Sequence, residues 1–315
     1  MKSAVSSKIQ LTASMLIFSS IGIFVKYIPM PSSVIAFARG LIGMIFLLLV
    51  VLVSKNKLSR ENIKNNLLVL ALSGAAIGFN WIFLFEAYNY TTVATATLTY
   101  YLAPFFVMLA SPFFLKEKLT LKQFCCLVGA LVGMVFVSGI VKNGIPDADE
   151  IKGILFGLGA AMLYATVIIL NKKLKEISAY EKTIMQLGTA AVVVLPYALL
   201  TEDFSSISFS ALPVILLFVA GIVHTGIAYA FYFNSMKDLK AQTVAIFSYI
   251  DPAVAIILSA VVLKEKMDIY GIIGAVLILG SAFISEINFI SEARQALAKI
   301  AHEGPYLTWT IFKTD

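Results

Sequence analysis

Apolar runs of about 20 residues recur along nearly the whole chain, and they constrain the fold more than any single motif does. A helix needs about 20 apolar residues to cross a hydrocarbon core about 30 Å thick. Of the 315 residues, 60% are hydrophobic and only 13% are charged, and the mean hydropathy is +0.91. A soluble domain of this length would need far more charge to cover its surface. The sequence therefore predicts an all-α polytopic membrane protein.

The apolar runs predict ten transmembrane helices with connections short enough for a compact bundle. The predicted spans are residues 8–28, 32–53, 66–87, 92–114, 120–141, 151–171, 179–200, 209–235, 241–263 and 267–287. Lys2 and Lys8 precede the first run, as in a signal peptide, but no small-residue cleavage site follows, so we expect a retained first helix. The adjacent Cys125 and Cys126 lie inside a predicted span, which excludes a structural disulfide framework.

The basic residues predict on which side of the membrane each loop lies. Of the 24 lysines and arginines, 18 lie in loops and termini on the side of the N-terminus and four on the other side, while Lys26 and Arg39 lie in or at the edge of spans. Positive charge accumulates on the cytoplasmic side, so both termini are predicted to be cytoplasmic and the protein to lie in the plasma (inner) membrane. This distribution also explains the net charge of +6 without a nucleic-acid partner.

A segment of the chain is repeated 148 residues further on. The stretch YYLAPFFVMLASPFFLKEKLT begins at Tyr100, and SYIDPAVAIILSAVVLKEKMD begins at Ser248. The same offset relates Pro104 to Pro252 and the KEK triplet at 116–118 to its copy at 264–266. The copies lie five spans apart, an odd number, so they must cross the membrane in opposite directions. Such inverted repeats are typical of secondary transporters, whose solute site lies near the midplane between the repeats.

These features together resemble the ten-helix, EamA-type branch of the drug/metabolite transporter superfamily. The resemblance is carried by Lys26, by Arg39 with its following glycine, by the two proline-then-KEK blocks, and by the helices CLVGALVG and GIIGAVLILG that follow them. It implies two inverted five-helix repeats, 8–141 and 151–287, around a central cavity. It also implies export of a metabolite or amino acid without a cofactor. The tail, 288–315, lies outside the pattern; we expect a cytoplasmic segment with a short interfacial helix.

Asp251 is the first candidate for a functional residue, since it interrupts the apolar run from 241 to 263. A charge at this depth costs about 2.5–3.5 kcal/mol, so it should face the bundle interior or water. One interpretation makes it a proton or cation site, or a partner for a substrate ammonium group. The other is local: Asp251 before Pro252 suits the N-cap of a restarted helix. The repeat has Ala103 at the matching position, so the kink alone does not require a carboxylate.

Three further charges and one histidine lie within or at the edges of the spans. Arg39 is deep enough to attract the carboxylate of a solute. The alternative is a structural cluster of Lys26, Arg39 and Glu86 that holds helices together, and the rule that membrane charges pair favours it. His224 titrates near physiological pH and is a second candidate for coupling, although a lone histidine is more often a hydrogen-bonded packing residue.

Polar and aromatic residues near the presumed cavity predict a wall for amphipathic solutes. They are Asn80, Trp81, Tyr100, Tyr101, Tyr164, Tyr229, Phe247 and Tyr249. For any single member, packing or an interfacial belt is the alternative. Gly129 and Gly133 form a small-xxx-small pair that allows a dimer contact through span five, so a monomer and a homodimer both stay open.

The expected function is export of small organic solutes, such as amino acids, metabolites or drugs, by alternating access between the two repeats. The expected partners are the lipid bilayer, the solute and protons, with Asp251 and His224 as the coupling candidates. An uncoupled exchanger or facilitator is the alternative, followed by a membrane-embedded enzyme. The chain contains no GxxxxGK[ST], HExxH or GxSxG pattern, which argues against ATP hydrolysis and against metalloprotease or serine-hydrolase chemistry.

Overall fold

The computed structural model describes residues 2–54, 58–90, 96, 99–137, 141, 151–204, 210–262, 269–281 and 284. Within them the regular structure is helical. The helices are α1 (Lys2–Lys26), α2 (Ser32–Val53), α3 (Arg60–Tyr90), α4 (Ala103–Leu115), α5 (Leu121–Val137), α6 (Ile151–Lys173), α7 (Ala179–Thr201), α8 (Ala211–Val219), α9 (Ala228–Ser235), α10 (Ala241–Ser248), α11 (Ile250–Val262) and α12 (Ile269–Ser281). The linker 142–150, the second KEK triplet and the tail 288–315 lie outside the described residues.

Several helices have the length and composition of membrane spans. Six continuous helical stretches of the described residues are long and apolar enough to cross a membrane. They are Val5–Val25, Ser32–Val53, Arg60–Tyr90, Ile151–Lys173, Ala179–Thr201 and Ala211–Ser235, the last of which runs from α8 to the end of α9. Large apolar side chains cover the outside of the bundle, with Phe113 83% exposed and Leu200 86% exposed. Soluble proteins rarely expose so much apolar surface, whereas a surface in contact with lipid must. The chain is an integral membrane protein.

The two prolines of the repeat stand beside helix breaks. A turn at residues 101–102 precedes α4, which has Pro104 in its first turn. Tyr249 separates α10 from α11, in which Pro252 likewise lies in the first turn. Proline has no N–H to donate and suits the start of a helix, where that donor would be unused. The predicted break at YIDPAV is confirmed, but α11 begins at Ile250, so Asp251 lies inside the first turn and not at the N-cap.

A π-helical segment, Ala220–Ile227, joins α8 to α9, and no sequence pattern predicted it. Thr225 Oγ1 donates a hydrogen bond of 2.9 Å to the carbonyl oxygen of Ala220, five residues earlier. This segment packs against α2 at Gly43, where a Cβ atom would lie 2.9 Å from the oxygen of Gly221 and 3.0 Å from the nitrogen of Gly226. The two backbones therefore approach so closely that no side chain fits between them.

We expect Gly43→Ala to lower the stability of the protein. The added methyl group meets backbone atoms, which cannot rotate away, and overpacking of this kind costs about 1–3 kcal/mol. The matched control is Gly22→Ala, because a Cβ there has nothing within 4 Å. Thermal unfolding in detergent measures the effect: the melting temperature should fall for Gly43→Ala and stay unchanged for Gly22→Ala. Equal melting temperatures for both variants would contradict the close approach.

Two clusters of buried apolar residues form the core. The larger joins residues of α1, α2, α3, α4, α6, α7, α9 and α10. The second joins α4, α5 and α10–α12 around Met108, Leu127 and Ile278. Within it, Cβ atoms added to Gly129 and Gly133 would meet Ser281 and Gly274 of α12. These glycines therefore serve close packing inside the chain, and the dimer contact predicted from them has no support in this geometry.

Polar contacts fasten the end of the bundle where α9 ends and α10 begins. Lys172 Nζ donates a hydrogen bond of 2.6 Å to the carbonyl oxygen of Leu239. Glu117, the centre of the first KEK triplet, accepts hydrogen bonds from the backbone N–H groups of Ala241 (2.9 Å) and Gln242 (3.4 Å). A carboxylate here satisfies donors that a helix N-terminus leaves free. The KEK triplet thus supplies a cap to α10, a role that its sequence did not indicate.

Candidate substrate cavity

A cavity of about 600 Å³ lies between the helices, within the usual size range of small-molecule sites. Its walls come from α1, α2, α3, α6, α9, α10 and α11, and from the turn before α4 together with the first residues of α4. It brings together eight of the ten residues that the sequence placed at the cavity: Arg39, Asn80, Trp81, Tyr100, Tyr101, Tyr164, Tyr229 and Asp251. The other two lie in the core: Phe247 belongs to the first core cluster, and Tyr249, 0% exposed, belongs to the second. Residues distant in sequence thus meet at one site.

Arg39 lines this cavity as a positive charge that has no acidic partner in the part of the chain that the structure describes. Its guanidinium carbon lies 5.0 Å from the centroid of the Trp81 ring, the distance range of a cation–π contact. Its buried Nε atom has no hydrogen-bond partner, and no carboxylate of the described residues lies within ion-pair distance of the side chain. An arginine with free donors in a cavity is suited to bind an anionic group such as a carboxylate.

Asp251 lines the same cavity from the first turn of α11. In the part of the chain that the structure describes, its carboxylate makes no hydrogen bond and no ion pair. It is close enough to Tyr100 and Tyr101 to interact with them electrostatically. A capping carboxylate would accept a backbone N–H, and no described N–H group donates to this one. The geometry of the described residues therefore gives no support to the capping interpretation of Asp251.

Aromatic and hydroxyl groups form the rest of the wall. The hydroxyl of Tyr164 contacts the hydroxyl of Tyr232 and lies 3.2 Å from Ser248 Oγ. Phe18 packs edge-on against Tyr229, with ring centroids 5.1 Å apart. The sequence analysis did not predict three of these wall residues, Tyr232, Ser248 and Phe18. Tyr232 could have been found, because it lies three residues after Tyr229 and so on the same helix face. The wall combines large apolar area with a few polar groups, as in other small-molecule sites.

The predicted charge cluster does not form as a set. Glu86 accepts a hydrogen bond of 2.6 Å from the hydroxyl of Tyr197 on α7, and it forms no ion pair with Arg39. The guanidinium of Arg39 lies instead over Trp81. The side chain of Lys26 lies outside the described residues. Glu86 therefore links α3 to α7, and among the described residues Arg39 has no carboxylate partner.

His224 and Asn80 have mainly structural surroundings. His224, 3% exposed, lies in the π-helical segment and outside the cavity wall. Its Nε2 is 2.9 Å from Ser20 Oγ, and its ring packs 4.6 Å from that of Phe24. Asn80 Nδ2 donates a hydrogen bond of 2.6 Å to the carbonyl oxygen of Ala160, so it reaches the cavity while it ties α3 to α6. These contacts satisfy Nδ2 of Asn80 and Nε2 of His224, whereas the buried Nδ1 of His224 has no hydrogen-bond partner among the described residues.

A bundle of apolar helices around a charged, aromatic cavity defines the class of membrane transporters, and comparison with known proteins agrees. The model of the EamA-like transporter family matches residues 7–139 and again residues 151–286. The chain belongs to this family.

Individual relatives and a solved structure extend the comparison. An "Uncharacterized transporter YxxF" of Bacillus subtilis (strain 168) is 31% identical over 94% of this chain and 93% of its own. A "Probable amino-acid metabolite efflux pump" of Salmonella typhimurium is 27% identical over 69% of this chain and 75% of its own. A crystal structure with 20% identity superposes with a TM-score of 0.80 over 90% of this chain and 98% of the other, which shows the same fold.

Proposed function

We propose that the protein is a secondary active transporter that exports small zwitterionic solutes, with amino acids as the leading class, by proton-coupled alternating access. The observation that carries this proposal is the presence of Arg39 and Asp251 in one cavity, each without a charged partner among the described residues. Charges at membrane depth are costly and are kept for function. A solute with a carboxylate and an ammonium group would neutralise both at once.

The aromatic wall narrows the class of solute. Trp81, Tyr101 and Tyr229 offer apolar area and ring faces, which suit a solute with an apolar or aromatic side chain. The Salmonella typhimurium relative, whose name is that of an amino-acid metabolite efflux pump, supports the same class and the outward direction.

The proposal includes ten spans in two inverted five-helix halves, both termini in the cytoplasm, and a place in the plasma membrane. The two family matches, 7–139 and 151–286, support the division into halves. The 148-residue repeat and the charge distribution support the inversion and the orientation. In this arrangement Asp251 differs from its repeat partner Ala103. The second repeat therefore carries a proton-binding group that the first repeat lacks at this position.

Flux measurements in proteoliposomes test the function. The purified chain is reconstituted, and efflux of each common amino acid, radiolabelled, is followed with and without an imposed pH gradient. We expect one group of amino acids to move, faster when protons flow the opposite way. An efflux rate that is the same with and without the pH gradient would favour an uncoupled exchanger. An absence of movement for every solute and gradient would contradict the transporter mechanism.

A further inference from the structure

Tyr249 is placed where it cannot touch a solute. It is 0% exposed and packs in the second core cluster with residues of α4, α5 and α12, among them Met108, Leu127 and Ile278. A buried tyrosine hydroxyl normally has a hydrogen-bond partner, because an unpaired one costs free energy. The identity of that partner decides what this residue does.

The hydroxyl of Tyr249 donates a hydrogen bond of 2.9 Å to the backbone carbonyl oxygen of Tyr101. That carbonyl lies in the turn just before α4, where Pro104 has no N–H to offer to the preceding turn. Carbonyls at such a break need donors from elsewhere. Tyr249 supplies one, and so it fastens the break before α4 to the break between α10 and α11.

The two bonded residues are equivalents in the sequence repeat. They are 148 residues apart, the same offset that relates Pro104 to Pro252, and each stands three residues before its proline. The Tyr101 ring and the Asp251 carboxylate both line the cavity. Asp251 follows Tyr249 by only two residues. The hydrogen bond therefore joins the two points of the backbone from which these cavity groups project.

We infer that Tyr249 is a positioning residue: its hydroxyl locks the two helix breaks together and thereby sets Tyr101 and Asp251 relative to each other across the cavity. The inference deepens the proposed function, on which its transport readout rests. Ordinary core packing would need only the ring of Tyr249. The positioning role needs the hydroxyl, and this difference makes the two roles separable.

Tyr249→Phe removes the hydroxyl and keeps the ring. With radiolabelled phenylalanine as the probe, we expect the apparent KM for efflux to rise about three- to tenfold, the size expected for one lost net hydrogen bond. The maximal rate should change little, and the melting temperature should fall, because the Tyr101 carbonyl loses a donor. The matched control is Tyr197→Phe, which loses a hydroxyl bond of 2.6 Å to Glu86 away from the cavity wall and should leave KM unchanged. An unchanged KM in Tyr249→Phe would overturn the inference.

A second measurement does not depend on transport. In a chain whose Cys125 and Cys126 are replaced by serine, Tyr101→Cys places a thiol on the cavity wall for labelling by a water-soluble maleimide. Adding Tyr249→Phe should change the labelling rate at least about threefold, because the break before α4 is no longer held. Adding Tyr197→Phe should not. Equal labelling rates with and without Tyr249→Phe would overturn the positioning role even if solute transport is observed. If the labelling rate changes in a protein that moves no solute, the positioning role of Tyr249 is retained and only the proposed function is refuted.

Discussion

Asp251→Asn is expected to abolish efflux driven by a pH gradient and to leave solute exchange at equal pH intact. Asparagine has nearly the same shape but cannot bind or release a proton, so the proposed coupling site is lost while the cavity is kept. In the described part of the chain the Asp251 carboxylate has no hydrogen-bond partner, so little packing is lost with its charge. Gradient-driven flux should fall to the leak of empty vesicles, while exchange falls less than about threefold.

Asp251→Ala separates coupling from capping. This change copies Ala103, the equivalent residue in the first repeat. If Asp251 only stabilised the start of α11, the alanine variant would melt earlier by the equivalent of about 1 kcal/mol, and the asparagine variant would still respond to the gradient. That pair of results would remove Asp251 from the coupling mechanism. Loss of coupling in both variants at unchanged melting temperature is the expected result.

Arg39→Gln is expected to weaken the binding of solutes that carry a carboxylate. A hydrogen bond to a charged group contributes about 1.5–3 kcal/mol, which corresponds to a loss of affinity of about 10- to 150-fold. The KM of efflux is the measurement, made for an amino acid and for its methyl ester. The amino acid should lose affinity and the ester should not, because the ester has no negative charge for Arg39 to bind.

A matched control for Arg39 comes from a lysine outside the cavity wall. Lys152 Nζ lies 5.8 Å from the centroid of the Tyr90 ring, so Lys152→Gln also removes one cation–π contact. It should leave the KM of both solutes unchanged. An equal loss of affinity for the acid and the ester in Arg39→Gln would assign Arg39 a structural role against Trp81 and argue against carboxylate binding.

Much of the candidate site could be predicted because membrane chemistry restricts where charge and proline occur. A carboxylate or guanidinium inside an apolar run is costly enough that it must face a cavity or a partner. This cost made Asp251 and Arg39 candidates for the site. The break at YIDPAV followed from the missing N–H of Pro252. The count of ten spans and the inversion of the repeat stay predictions.

Other residues could not be placed because their roles depend on neighbours far along the chain. The sequence made Glu86 a candidate partner for Arg39. In the structure the hydroxyl of Tyr197 on α7 bonds Glu86, and the guanidinium of Arg39 lies over Trp81. Glu117 lies in a KEK triplet whose sequence indicates no role, and it caps α10.

The amino-acid sequence was sufficient for the membrane class, the family and the internal repeat, because hydropathy, charge and periodicity are properties of local segments. It was not sufficient to separate Tyr249 from Tyr101, which share a position in the repeat. Packing buries the Tyr249 ring in the second core cluster and turns its hydroxyl to the Tyr101 carbonyl, while the Tyr101 ring lines the cavity. Which of two equivalent side chains lines the cavity depends on contacts between α4 and α10–α11, and only folding creates these contacts.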